Sequence, residues 1–160
     1  MKNLKKMFGA LLTLVISFCA IGAVSAASTG SIKVTGTESG KNYDIYKIFD
    51  LTLGGANNDK VAYTIDTNWA DFFKNGGLGE DYIVNANNEE NTLNSITING
   101  EKKYINITSD NIKEFSEAAL EYIRTKPVAY DQTKQAGKNE TTITFNNLDL
   151  GYYLMKILLI

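Results

Sequence analysis

The chain has 160 residues, 44% of them hydrophobic, with 16 basic and 18 acidic side chains, no histidine and one cysteine. Without histidine, and with its one cysteine inside the N-terminal leader described next, the chain loses most routes to catalysis and any disulfide staple. The acidic balance and a lone arginine, Arg124, disfavour nucleic acid, which demands clustered Lys and Arg.

Residues 1–27 read as an export signal. Lys2, Lys5 and Lys6 make a basic start, and Met7 to Val24 run for 18 residues without a charge. Val24-Ser25-Ala26-Ala27 then supplies small residues for cleavage. An uncleaved membrane anchor is the rival for a run of that length. Gly9, Thr13, Ser17, Cys19 and Gly22 dilute its hydrophobicity and favour cleavage. Cleavage after Ala26, with Val24 at minus three, and after Ala27, with Ser25 there, both fit. Phe18 before Cys19 does not suit lipoprotein processing. The chain is therefore expected to be exported to the extracellular or cell-wall surface, meeting the membrane only through this signal. Losing the 27 leader residues from 160 leaves a domain of 133, large enough for its own core. Losing three lysines leaves 13 basic against 18 acidic side chains, a net charge of −5.

The elements that follow are mostly short and extended. Ser31 to Thr35 alternates with Ile32 and Val34 on one side, a strand pattern. Asn42 to Leu53 is the longest strand candidate, ended by Gly54-Gly55, and Val61 to Ile65 follows an Asn57-Asn58 turn. Asn68 is placed to cap a short helix carrying Trp69, Phe72 and Phe73, stopped by Gly76-Gly77. Those aromatics fit core packing better than a ligand-stacking patch. Leu93 to Ile98 and Lys102 to Ile107 flank Asn99-Gly100, the pair that favours a type I′ hairpin. That register puts Ile96, Ile98, Ile105 and Ile107 on one face.

Ser109 reads as the cap of a helix running to Arg124, with Ile112, Phe115, Ala119, Tyr122 and Ile123 at helical spacing and Pro127 as its stop. Asp131 to Glu140 reads as a surface loop. Thr141 to Phe145 and Leu150 to Leu158 are two more strands, turned at Asn146-Asn147. Short strands with turn signals between them, and one helix near 109–124, predict a mainly β fold. The expected form is an antiparallel β-sandwich decorated by that helix. Asparagine, at 17 residues, fits turn and loop chemistry, and two glycosylation patterns begin at Asn106 and Asn139.

Two segments carry a resemblance. Gly40-Lys41-Asn42-Tyr43-Asp44-Ile45-Tyr46-Lys47-Ile48-Phe49-Asp50 resembles the first long strand of N-terminal domains in Gram-positive pilin subunits. Leu148-Asp149-Leu150-Gly151-Tyr152-Tyr153-Leu154 resembles the strand near that domain's end, and the helix around Phe115, Ala118, Ala119 and Leu120 falls where the family has one. The resemblance spans essentially all of residues 28–160 and implies an Ig-like, CnaB-like sandwich. It further implies a structural subunit that a sortase joins covalently to other pilin subunits in a surface fibre with adhesive roles. No enzyme activity, cofactor or metal is implied. The family's Tyr-Pro-Lys pilin motif and Leu-Pro-x-Thr-Gly sorting signal are absent, since the one proline is Pro127. Residues 28–160 are accordingly expected to be an N-terminal pilin-type domain incomplete at its C-terminus. A missing final strand would leave an unpaired edge open to association.

The resemblance also singles out Lys47. In the family, a lysine of the first strand attacks an asparagine carboxamide of the last strand, beside a protonated Asp or Glu, and an isopeptide bond forms as ammonia leaves. Strand alternation puts Tyr43, Ile45, Lys47, Phe49 and Leu51 on one face, and burial there would lower the Lys47 pKa. Two alternatives stay open: the ammonium bends out to solvent along its stem, or a β-bulge shifts its face. The family's partner asparagine would lie beyond Ile160, with Asn146 and Asn147 as the nearest substitutes.

Other constellations are weaker. Glu89-Glu90 reads as a solvated pair rather than an acid–base couple. Asp44, Asp50 and Asp59 lack calcium-loop spacing, and no serine has a nucleophile-elbow context. The alternative function is a secreted adhesin-like module that recognises host glycan or protein through its loops. A secreted hydrolase would need two cooperating carboxylates in a cleft, and nothing in the sequence recommends one.

Overall fold

The computed structural model describes residues 10–14, 29–54, 60–85 and 95–158. The cleavage candidates Ala26 and Ala27, together with Glu89, Glu90, Asp59 and the Asn57-Asn58 turn, lie outside the described residues. The fold is mainly β, a sandwich with an inserted helix, as the sequence pattern predicts.

Its centre is a pair of antiparallel strands, β3 (Asn42–Gly54) and β10 (Gly151–Leu158). On the far side of β3 come β4 (Lys60–Ile65), β6 (Ser95–Ile98), β7 (Glu101–Ile105) and β5 (Ile83–Val84); β8 (Gln132–Gln135) pairs with the start of β3. Beyond β10 lies β1 (Ala10–Leu14), a strand formed within the uncharged run of residues 7–24. A second sheet joins β2 (Thr29–Thr35) to β9 (Thr142–Asp149).

The β3–β10 pair is covered on both faces, and this divides the core in two. On one face Tyr43, Ile45, Tyr153 and Met155 pack against Ile32, Val34, Ile143, Phe145 and Leu148 of the β2–β9 sheet. On the other, Tyr46, Ile48, Phe49 and Leu154 meet a helical layer. That layer combines a 3₁₀ turn ending at Trp69, α1 (Ala70–Phe73) and α2 (Ile112–Thr125). Phe115, Ala119 and Tyr122 form the inner stripe of α2, and Phe115 is wholly buried. Its ring lies edge-on to Phe72 (6.0 Å) and to Tyr82 (4.9 Å). Helix α2 thus contributes Phe115, Ala119 and Tyr122 directly to this core. Burial of rings of this size is the largest apolar contribution the chain can make.

The hairpin forms as expected. Asn99 (φ 53°) and Gly100 (φ 82°) both take the left-handed backbone of a type I′ turn, and Ile98 pairs with Glu101. Ile96, Ile105 and Ile107 are buried on the same side.

Other expectations are corrected by local hydrogen bonding. Asp66, not Asn68, caps the first helical segment, its carboxylate accepting the Asn68 N–H at 2.9 Å. Helix α2 starts at Ile112 rather than beside Ser109, because Thr108 and Asn111 form a turn of their own. In it the Thr108 N–H donates to Asn111 Oδ1 at 2.8 Å. The segment read as a loop from Asp131 to Glu140 contains β8, whose backbone finds partners on the open start of β3. Asn146-Asn147 is no turn between strands; it lies within β9, where two residues oppose one of β2 and Asn147 takes φ 57°. This is a bulge, which Asn tolerates for the same reason it tolerates turns. Finally, β4 and β6 run parallel, so the larger sheet is mixed.

Because Phe115 anchors α2 in this core, Phe115→Ala should cost about 3–5 kcal/mol of stability, the usual range for emptying a buried aromatic site. Urea unfolding followed by far-UV circular dichroism would check this; a loss below about 1 kcal/mol would return α2 to a peripheral role.

Candidate functional site

The site around Lys47 is created by an irregularity in β3. Along β10, Tyr152 faces Phe49 and Tyr153 faces Lys47, so Ile48 is the extra residue of a β-bulge. Beyond the bulge the alternation inverts. Phe49 turns to the helical layer, with Tyr152 edge-on at 6.0 Å, and leaves the face on which an unbroken strand would hold it beside Lys47. The same inversion brings Asp50 onto the Lys47 side, although residues three apart on a regular strand point to opposite faces. The pair then closes as a salt bridge, Nζ to Asp50 Oδ1, at 2.6 Å.

Two further carboxylates converge from distant parts of the chain. Asp149, where the chain leaves β9 for β10, comes to 3.7 Å from the ammonium. Asp131, just before β8, accepts the Lys47 backbone N–H at 2.6 Å while its own N–H donates to the Ile45 carbonyl at 2.8 Å. Tyr153 closes the group, its hydroxyl donating to the Asp149 carbonyl at 2.9 Å. Gly151 has a steric role: a Cβ there would strike the Phe49 carbonyl and come within 3.1 Å of Lys47 Cδ. The lysine stem lies in the space a side chain would fill, and its side chain is only 12% exposed.

The electrostatics follow from this packing. Burial is the largest single influence on Lys47 and lowers its pKa. The Asp50 hydrogen bond and charge, joined by Asp149 and Asp131, together outweigh it and hold the ammonium above its ordinary value. The expected lowering is thus reversed, because the residue is desolvated among anions rather than among apolar groups. Asp131 moves up, chiefly through burial, with the Lys47 N–H and charge opposing. Burial and the surrounding carboxylates likewise push the Tyr153 phenol upward.

Chemically this is a clamp. A protonated Lys47 holds its charge at neutral pH and offers no free electron pair to an amide carbonyl. Among the described residues its ion-pair partners are aspartates, and Asn146 sits in the β9 bulge with its carbonyl accepting from Gln132 Nε2 at 3.0 Å. The clamp ties β3, the start of β8 and the β9–β10 crossing together at one end of the sandwich.

The remaining candidates settle into the architecture. Trp69 and Phe72 are wholly buried and meet edge-on at 5.5 Å, so they are core. Asp44 is buried and lies beside Tyr46. Burial first, then the Asp44 charge and hydrogen bond, push the Tyr46 phenol up to about 12. Among the described residues no group of acidic side chains, His or Cys is disposed to hold a metal ion, and no helix is long and apolar enough to cross a membrane. Asp131 and Asp149 escaped the sequence reading because nothing in their spacing relates them to Lys47; Asp50 was hidden by the bulge. Comparison with protein-family models, curated proteins and solved structures finds no match for this chain.

Two outcomes test the clamp. Because the folded-state Lys47 pKa is raised, its contribution is complete below the ordinary lysine value of about 10.4 and is lost as pH rises through the higher folded value. Lys47→Met keeps the stem and strands the carboxylates. It should lower stability by about 1–2 kcal/mol at neutral pH, a value reduced for partial exposure, with the deficit shrinking as the wild type titrates at alkaline pH. Thermal melts across pH would reveal a deficit that instead grows with pH. Second, the intact mass of the folded chain should equal that of its sequence; a deficit of one ammonia or one water would report a Lys47 cross-link to an asparagine or an aspartate.

Proposed function

We propose that this chain is an exported structural subunit, or part of one, of a cell-surface fibre of the Gram-positive pilin type. One observation carries the reading. The two segments that resemble such subunits, residues 40–50 and 148–154, include the central strands β3 and β10, which are hydrogen-bonded to each other. Their most distinctive residues, Lys47 and Gly151, pack together there. Segments a hundred residues apart thus form one unit, in which the Phe49 carbonyl leaves no room for a side chain at Gly151 and the lysine stem lies beside it. The leader at residues 1–27 supports export, and the doubly covered central strands suit a load-bearing module more than a reactive one.

On this reading the partners are other subunits and the sortase that joins them, and the chain itself catalyses nothing. The binding-module alternative draws on Tyr130 (52% exposed) and Leu78 (53% exposed). Two isolated side chains do not make an apolar patch, so the structural reading is preferred.

Antibodies raised against residues 29–158 should decorate linear fibres on the producing cell in immunogold electron microscopy. Label confined to the culture fluid, or to the cytoplasm, would reject the proposal.

A further inference from the structure

Among the described residues, the strand β1 pairs with the outer edge of β10 and also lies against α2. Residues 10–14 run antiparallel to β10 from Ala10 opposite Lys156 to Leu14 opposite Tyr152. The inner edge of β10 is paired with β3 along its whole length, from Gly151 to Leu158. Among the described residues β1 is the last strand of that sheet, and it alone separates the β10 backbone from open edge. The strand along this edge is long and carries one charge, Lys156; Tyr153, Leu154 and Met155 are buried in the two cores, so the edge offers its backbone. It has no proline, the other common guard of an exposed strand.

We propose that this edge is a strand-acceptor site. The leader strand β1 caps it in the uncut chain, and removal of the leader opens it to the same edge of a second copy. The inference rests on the reading of residues 1–27 as a cleaved signal. Cutting at Ala26 or Ala27 removes β1 as a covalent part of the sheet and frees a row of N–H and C=O groups that need partners.

A second copy fits for two reasons. A twofold axis through an edge-to-edge contact sets the two strands antiparallel, the direction β1 already takes on β10. The incoming strand would also be apolar and β-prone like the one it replaces, so the sheets would join into one. While β1 remains attached it competes from within the same chain, at an effective concentration a separate molecule cannot match. The uncut form is therefore held as a single copy.

The test uses the full chain with a specific protease site inserted between Ala26 and Ala27. Before cutting, light scattering should give the mass of one copy with a cooperative thermal melt. After cutting and gel filtration, the mass should double. Hydrogen exchange should show the amides of Tyr152–Leu158 protected in the double-mass species. A synthetic peptide spanning residues 7–17 should return it to single copies.

Cut chains that stay single, whether or not the leader peptide leaves, would overturn the proposal. So would a double-mass species whose β10 amides exchange freely, because it would associate through another face. Loss of the cooperative melt on cutting would also overturn it, since β1 would then be integral to the fold. The export premise is judged separately by N-terminal sequencing of the chain recovered outside the cell. A start at Met1 would sink the cleaved-signal premise while leaving the engineered cut informative about the edge.

Discussion

Burial of β3 on both faces is the constraint around which the rest is arranged. A strand between the β2–β9 sheet and a helical layer has no solvent side, yet β3 carries Asp44, Lys47 and Asp50 within seven positions. Each charge must be compensated where it stands or brought to the rim of the layer. Asp44 is compensated by Tyr46. Lys47 and Asp50 are compensated by each other, through a bulge that reverses the strand's alternation between them. Without that extra residue Phe49 would compete for the face Lys47 occupies, and the aromatic cluster with Tyr63, Phe73 and Tyr152 would lose its centre.

The same bulge puts Lys47 and Asp50 together beside the start of β10, where two further aspartates converge. Sheet-to-sheet crossings are points where backbone polar groups lose regular partners, and the crossing from β9 to β10 occurs beside Lys47. Asp149 at the crossing faces the Lys47 ammonium and Asp131 before β8 accepts the Lys47 backbone N–H, so both irregular segments are anchored to one residue. Such an arrangement gives rigidity and register. The carboxylates near the ammonium favour its protonated form. These unusual residues hold the irregular segments of the fold in shape.

Several parts were legible beforehand because they depend on neighbours in sequence. Asn99-Gly100 selects its turn through two left-handed residues, and the flanking isoleucines fix the buried face. The stripe from Ile112 to Ile123 identifies α2 by its periodicity alone. Features that failed depended on distant backbone. Gln132 to Gln135 has no strand pattern, yet it extends because the start of β3 offers unpaired groups. Asn146-Asn147 has turn chemistry, but β2 uses it as a bulge within a continuous strand.

The sequence by itself determined that the chain is β-rich, where its hairpin and long helix lie, that its N-terminus has the pattern of an export signal, and that Lys47 merits attention. These follow from local propensity and periodicity, which a single segment carries with it. Only the tertiary structure decided which way Lys47 faces, what surrounds it and in which direction its proton affinity moves. Those outcomes turn on a one-residue bulge and on aspartates about a hundred positions away. Charge environments are set by three-dimensional proximity, and no spacing along a chain encodes a neighbour that arrives on a different strand.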